Sequence, residues 1–124
     1  MASPADRDST FALYRRGIEL LEEADFEQAT PPLEAAARRA PEKSSVREAL
    51  GRAYFRSRRF EQAAEEFAAL VERYPVNDYA HFCLGRSLEK TGRRAEARRH
   101  AALAANMRPD RKDYQAFRDR LQAA

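Results

Sequence analysis

The chain has 124 residues, of which 44% are hydrophobic and 35% are charged. This size suits a single domain, and the composition is typical of a folded protein rather than a disordered one. The sequence has no run of about 18 apolar residues and begins with a polar segment, so it predicts neither a membrane span nor a secretory signal. The single cysteine, Cys83, excludes an internal disulfide. We therefore expect a cytoplasmic protein.

The net charge of +3 is unevenly distributed along the chain. Residues 10–43 carry 5 basic and 7 acidic groups (−2), residues 44–77 carry 6 and 5 (+1), and residues 78–111 carry 8 and 4 (+4). Arginine greatly outnumbers lysine, as is common in bacterial proteins encoded by GC-rich genomes. Clustered arginines can follow a phosphate backbone, so weak nucleic-acid binding through the last segment is one alternative function. The arginines concerned are Arg93, Arg94, Arg98, Arg99, Arg108 and Arg111.

A period of 34 residues runs through the sequence. Each period contains two stretches with helical periodicity, separated by a short turn, and it ends at a proline, which stops a helix. The turns are expected around Ala24-Asp25, Ser57-Arg58-Arg59 and Thr91-Gly92. The residues that recur at this spacing are Gly17, Gly51 and Gly85; Ala29, Ala63 and Ala97; and Pro41, Pro75 and Pro109.

This pattern resembles the tetratricopeptide repeat, whose unit is a 34-residue helix-turn-helix. The second period is closest to the family pattern. The resemblance implies an all-α fold, a right-handed superhelical stack of antiparallel helix pairs with seven helices in total. The residues of the second period that carry the resemblance are Leu50, Gly51, Tyr54, Phe60, Ala63, Phe67 and Pro75.

The predicted domain organisation follows from this period. Residues 1–9 form a polar N-terminal segment, and residues 10–124 form a single tetratricopeptide domain. Its parts are three repeats and a capping helix, in which Tyr114, Phe117 and Leu121 recur at helical spacing. The boundaries are 10–43, 44–77 and 78–111 for the repeats and 112–124 for the capping helix.

Two features depart from the family pattern. Pro31 and Pro32 fall inside the expected second helix of the first repeat, where a proline costs roughly 3 kcal/mol. We therefore predict that this helix starts late, with Thr30 as its N-cap and Pro31 as its first residue. In the third repeat, His81 and Ala101 replace larger residues, which predicts a thinly filled core.

The resemblance also implies a concave groove lined by the first helix of each repeat. Aromatic anchors and two arginines are predicted to face this groove, so the expected partner is a protein segment with both acidic and apolar residues. Arg52 and Arg86 are predicted to bind its acidic groups, and Tyr14, Phe55 and Phe82 to anchor its apolar ones. The complete predicted groove set is Tyr14, Ile18, Leu21, Glu48, Arg52, Phe55, Tyr79, Phe82, Arg86 and Glu89.

One well-known ligand class of the family does not suit this sequence. Repeats that grip the C-terminal carboxylate of heat-shock chaperones do so with lysine, asparagine and arginine side chains. Only Arg52 among the five matching positions could contribute to such a clamp. The matching positions hold Tyr14, Ile18, Arg52, Tyr79 and Cys83.

The first helix is apolar around much of its circumference, although it begins the array. A helix of this kind is normally buried, so self-association through it is a second alternative function. An edge partly shielded by residues 1–9 is the other reading. The apolar residues are Phe11, Leu13, Tyr14, Ile18, Leu20 and Leu21.

Catalysis is not predicted. His81 and Cys83 are two residues apart and point to different sides of a helix, and His100 is expected in another helix on a charged surface. The sequence has no glycine-rich phosphate loop, nucleophile elbow or spaced set of metal ligands. We therefore expect a protein-interaction adaptor with no cofactor and no enzymatic activity.

Overall fold

The computed structural model of the chain describes residues 9 to 123. These residues form seven α-helices and no strand, so the predicted all-α fold with seven helices is confirmed. Residues 1–8, which make up nearly all of the predicted polar segment, lie outside the described residues. The helices are α1 (Thr10–Glu22), α2 (Phe26–Arg39), α3 (Ser44–Arg56), α4 (Phe60–Arg73), α5 (Asp78–Lys90), α6 (Arg94–Met107) and α7 (Lys112–Ala123).

The chain divides into two compact units, with the boundary between Arg59 and Phe60. The first unit contains α1 to α3 and the second contains α4 to α7. The single domain expected over residues 10–124 stays a prediction.

The first unit is held together by close packing of α1 on α2. Gly17 of α1 faces Leu33 of α2, which is fully buried, and a Cβ atom built on Gly17 would lie 2.3 Å from Leu33 Cγ. Only glycine permits this approach of the two helices. Leu13, Ala36 and Val46 extend the same core to α3.

Helix α2 begins at Phe26, so the predicted late start at Pro31 is wrong. Pro31 and Pro32 lie in its second turn and remove two backbone donors. The carbonyl groups that would accept from them belong to Glu27 and Gln28, which are exposed, so water can satisfy these groups.

The helical conformation of this segment is stabilised by burial. Ala29, Leu33 and Ala36 follow one another at spacings of four and three residues, and each is 0% exposed. A late start would take Ala29 out of this buried face. In addition, Thr30 Oγ1 donates a hydrogen bond of 3.1 Å to the Phe26 carbonyl within the same turn.

In the second unit, α7 supplies the apolar volume that α6 lacks. Tyr114, Phe117 and Leu121 of α7 are all buried. The ring of Phe117 lies beside Gly85, where an added Cβ atom would come within 3.1 Å of it. The aromatic residues of α7 therefore fill space beside Gly85, whereas the thinly filled core of the third repeat stays a prediction.

The three predicted turns are observed, and they share one geometry. Ala24, Arg58 and Gly92 have positive φ angles of 60°, 68° and 84°. In each turn the following amide donates to a carbonyl five residues back, as in a Schellman motif; the first such bond joins Asp25 N to Leu20 O at 2.8 Å.

Candidate partner-binding surface

In the first unit, the predicted groove residues come from α1 and α3. Leu21 is buried and therefore belongs to the core, whereas Arg52 is exposed. No ion pair joins Arg52 to another described residue. Tyr14 packs beside the buried cluster around Leu13. The remaining predicted residues are all half-buried: Tyr14, Ile18, Glu48 and Phe55.

In the second unit, α7 packs against Phe82, one of the predicted groove residues. The ring of Phe82 stacks on Tyr114 with a centroid distance of 4.7 Å and meets Phe117 edge-on at 5.5 Å. The Arg86 guanidinium, which is exposed, lies 5.8 Å from the Phe82 ring centre. Phe82 therefore contributes to the packing of the capping helix, a role that spacing alone did not indicate. Tyr79 is half-buried.

Glu89 is also engaged by α7. Its carboxylate accepts hydrogen bonds of 2.6 and 3.0 Å from both terminal nitrogens of Arg120. These hydrogen bonds lower the pKa of Glu89. Glu89 is thus positioned by an internal bidentate pair, and Arg86 is left as the exposed cation of the predicted set on α5.

His81 and His100 form a buried pair, which corrects the expected surface position of His100. They are 4% and 6% exposed. Their rings stack with centroids 5.2 Å apart, and the two Nδ1 atoms are 2.9 Å apart. His81 Nε2 lies 2.8 Å from the Pro75 carbonyl oxygen. The sequence could not indicate this pair because the residues are 19 positions apart on different helices.

The hydrogen bonds define the protonation of this pair. The Pro75 carbonyl can only accept, so His81 Nε2 carries a proton and Nδ1 of neutral His81 is an acceptor. His100 Nδ1 must then donate to it. His100 Nε2 is left as an acceptor, 3.5 Å from Arg99 Nη2. Further protonation of His100 would place a cation beside Arg99 and His81.

The buried pair predicts an acid-sensitive stability. Burial, together with the nearby His81 and Arg99, lowers the pKa of His100 from its ordinary value to about 4. The unfolded chain then binds a proton at this site more readily than the folded one does. We expect the contribution of His100 to the free energy of unfolding to be constant above about pH 6.5 and to fall as the pH drops from there toward 4.

Urea unfolding of the wild type and His100→Asn between pH 7.5 and 4 tests this expectation. An asparagine amide can replace the Nδ1–H donor but does not titrate. We expect the variant to lose less stability over this range. Equal losses in the two proteins would exclude His100 as the cause.

Five of the six arginines that suggested nucleic-acid binding are engaged within the second unit, whereas Arg99 is exposed. Arg94 and Arg98 lie 3.4 and 2.9 Å from the Leu121 carbonyl near the end of α7. Arg108 forms a bidentate pair with Asp110, which lowers the pKa of that carboxyl to about 2. Two further pairs join Arg93 to Glu61 and Arg111 to Asp113. These five arginines thus contact either a carboxylate or a backbone carbonyl of the same unit.

Other chemistry is limited within residues 9–123. No group of three histidine, cysteine or acidic side chains in this range could hold a metal ion. None of the helices of this range is long and apolar enough to cross a membrane. Cys83 is half-buried.

Comparison with known proteins places this arrangement in context. A family model described as tetratricopeptide repeat matches residues 14–78 and again residues 48–114. No curated protein matches the sequence significantly.

Several solved structures have the same fold. MamA from Desulfovibrio magneticus RS-1 superposes with a TM-score of 0.90 over 95% of this chain and 67% of that one, at 16% identity. A MamA MSR-1 structure gives 0.85 over 96% and 68%, at 24% identity. The first tetratricopeptide domain of Spaghetti (RPAP3), bound to the HSP90 peptide SRMEEVD, gives 0.85 over 92% and 90%, at 14% identity. The chain spans about two thirds of the MamA chains.

Proposed function

Because the chain belongs to the tetratricopeptide repeat family, we propose that it is a protein-interaction adaptor with no enzymatic activity. In this proposal, the first helix of each repeat contributes side chains that bind a segment of a partner protein. The exposed guanidinium of Arg52, three residues before the half-buried Phe55 on the same face of α3, is the observation that carries this proposal. Such a cation can pair with a carboxylate of a ligand because no described carboxylate already holds it.

The partner segment in this proposal carries acidic and apolar residues. In the first unit, the half-buried Tyr14, Ile18 and Phe55 offer the apolar contacts and the exposed Arg52 offers the cation. In the second unit, the exposed Arg86 of α5 offers a second cation. Leu21 is part of the core and does not contact the partner segment. Phe82 and Glu89 support the binding surface indirectly, because they hold α7 in position. The acidic peptide named with the RPAP3 domain supports this chemistry in the same fold.

The mode of peptide capture in this proposal differs from a carboxylate clamp. Only Arg52 among the five clamp positions is cationic, so the ligand is an internal segment rather than a free C-terminus. Aromatic rings and arginines dominate the energy of many protein interfaces, which fits the residues available here. A cytoplasmic location is part of the proposal.

Reversal of both exposed arginines tests the proposal. We expect Arg52→Glu/Arg86→Glu to reduce partner capture from the native cell by about tenfold or more, because the acidic ligand would then meet like charges. Quantitative mass spectrometry of the captured proteins measures the loss, and circular dichroism checks that helicity is unchanged.

A matched control variant is Arg38→Glu/Arg73→Glu, which changes the net charge equally at exposed positions in the last turns of α2 and α4. The control should retain its partners. Equal capture by both double variants and the wild type would reject the arginine-based groove.

Self-association is a second candidate function, favoured by Phe11, which is 72% exposed on α1. Analytical ultracentrifugation over a concentration series tests it. A monomer at all concentrations would reject this candidate.

A further inference from the structure

In the first unit, the end of α3 holds the first turn of α2 through two cationic contacts. The Arg56 guanidinium lies 4.4 Å above the ring of Phe26, the first residue of α2. Arg59, just after α3, pairs with Glu27, the second residue of α2, at 3.5 Å. The preceding helix therefore presents an aromatic ring and a carboxylate, and the following helix supplies both cations.

The same pair of contacts recurs in the second unit, one period later. Lys90, the last residue of α5, lies 5.8 Å from the ring centre of Phe60, the first residue of α4. Arg93 pairs with Glu61, the second residue of α4. Each of these residues follows its counterpart in the first unit by 34 positions, so the contact belongs to the repeat and not to one site.

Helix α1 corresponds to α3 and α5 in the repeat, but the charges at its two contact positions are reversed. Glu22 stands where α3 has Arg56, and Asp25 stands where the following turn has Arg59. Both acidic side chains are exposed. A preceding helix that begins with an aromatic residue and glutamate would bring its carboxylate toward Asp25. Like charges would then oppose binding.

A third position also distinguishes α1. Arg47 of α3 donates to the Pro41 carbonyl at 2.8 Å, and His81 of α5 donates to the Pro75 carbonyl at 2.8 Å. The corresponding residue of α1 is Leu13, which has no side-chain donor and is buried. Helix α1 therefore lacks all three groups that hold the preceding segment on α3 and α5.

The same side of α1 presents an exposed aromatic residue. Phe11 precedes Glu22 by 11 residues, which is close to three helical turns, so the two lie on one face. We define the upstream face as Phe11, Glu22 and Asp25. A rise of about 1.5 Å per residue places Phe11 about 16 Å from Glu22 along the helix axis, so the ring lies at one end of this face and the two carboxylates at the other. An antiparallel helix with cations in its first turn and an apolar side chain near its end is complementary to this face.

We propose that the upstream face binds a helix of another protein whose first turn carries lysine or arginine where the internal helices carry phenylalanine and glutamate. This surface and its basic partner are separate from the groove and its acidic partner. The position of the partner helix follows from the internal pairs, in which α2 and α4 occupy the corresponding place on α3 and α5.

Two other occupants fit less well. In a second copy of this chain, α6 and α7 begin with a basic residue, but Arg94 of α6 already contacts the Leu121 carbonyl of α7. Lys112 of α7 is followed directly by Asp113, whose carboxylate would meet the acidic face. The segment 1–8 of the same chain contains Asp6, Arg7 and Asp8, so its side chains add negative charge to an acidic face. A basic helix from another protein avoids both difficulties.

A four-repeat fusion tests the proposal with a defined probe. An extra copy of residues 44–77 is fused directly before Thr10, which keeps the 34-residue register and brings its first turn of α4 to the upstream face. One version keeps Phe60 and Glu61 in the extra copy, and the other carries Phe60→Arg/Glu61→Arg there. We expect the basic version to have a Tm higher by about 3 °C and slower amide exchange in α1.

The matched control exchanges the charges of the face. In fusions that carry Glu22→Arg/Asp25→Arg, the unchanged extra copy should become the more stable version, because the internal contacts are then restored. An order of Tm values that does not depend on residues 22 and 25 would overturn the proposal.

Two further experiments test the alternative occupants of the upstream face, a second copy of the chain and residues 1–8. A dimer of the natural chain that is lost on Glu22→Arg/Asp25→Arg would overturn the proposal in favour of a second copy. Faster amide exchange of α1 after deletion of residues 1–8 would overturn it in favour of that segment. Neither result would affect the capture assay with Arg52 and Arg86, so the two proposals fail independently.

Discussion

Replacement of Tyr114 by alanine is expected to lower the free energy of unfolding by about 4 kcal/mol. Tyr114 is fully buried, and its ring stacks on Phe82. Its hydroxyl donates a hydrogen bond of 2.8 Å to Asp78. Removing the ring leaves a cavity between α5 and α7 and an acceptor without its donor. Urea unfolding at pH 7.5 measures the loss.

Tyr114→Phe separates packing from hydrogen bonding in this prediction. The phenylalanine ring keeps the stacking contact and loses only the hydroxyl. We expect a loss of about 1 to 2 kcal/mol for this variant. If both variants cost the same, the hydrogen bond to Asp78 and not the ring would be the main contribution of Tyr114.

Gly17→Ala is expected to destabilise the first unit by about 2 kcal/mol, although alanine is the better helix former by about 1 kcal/mol. The added methyl carbon would lie 2.3 Å from Leu33 Cγ and 2.5 Å from Leu33 Cδ2. Leu33 is fully buried, so it cannot move aside without shifting α2 against α1. Thermal unfolding followed by circular dichroism measures the change.

A double-mutant cycle identifies Leu33 as the cause. In a Leu33→Ala background the clash is absent, and the methyl group added at position 17 fills part of the space that the leucine side chain leaves. Gly17→Ala should then be at least about 1 kcal/mol less costly than in the wild type. Additive effects of the two substitutions would mean that the close approach of Gly17 and Leu33 does not determine the cost.

The repeat architecture could be predicted from the sequence because it depends on periodic residues. The glycines and prolines at 34-residue spacing indicated where helices approach closely and where they end, and the three turns occur where they were expected. The apolar stripe of Tyr114, Phe117 and Leu121 likewise predicted a capping helix. These features are local or periodic, so one sequence contains enough information to locate them.

Pro31 and Pro32 show the limit of local rules. Local preference favours a helix that starts at Pro31, but the buried face of Ala29, Leu33 and Ala36 forms only if the helix starts earlier. Burial of that face outweighs two missing backbone hydrogen bonds whose acceptors are exposed to water. Propensity is a property of the segment, whereas burial depends on α1.

The candidate site was only partly predictable for the same reason. Helical spacing indicated which residues leave the packing stripe, and Arg52 and Arg86 are indeed exposed. Spacing did not indicate that Phe82 and Glu89 contact α7, or that Leu21 is buried, because these contacts join helices that are distant in sequence.

The sequence by itself determined the number of helices, their turns and the family of this protein, because these depend on a 34-residue period of small, apolar and turn-forming residues. Only the tertiary structure decided the state of the chemically distinctive residues. His81 and His100 form a buried hydrogen-bonded pair. The charges of Glu22 and Asp25 can be interpreted as reversed only because the structure shows which contacts the corresponding residues make at the ends of α3 and α5. Each of these depends on which side chains meet across different helices, which no single helix encodes.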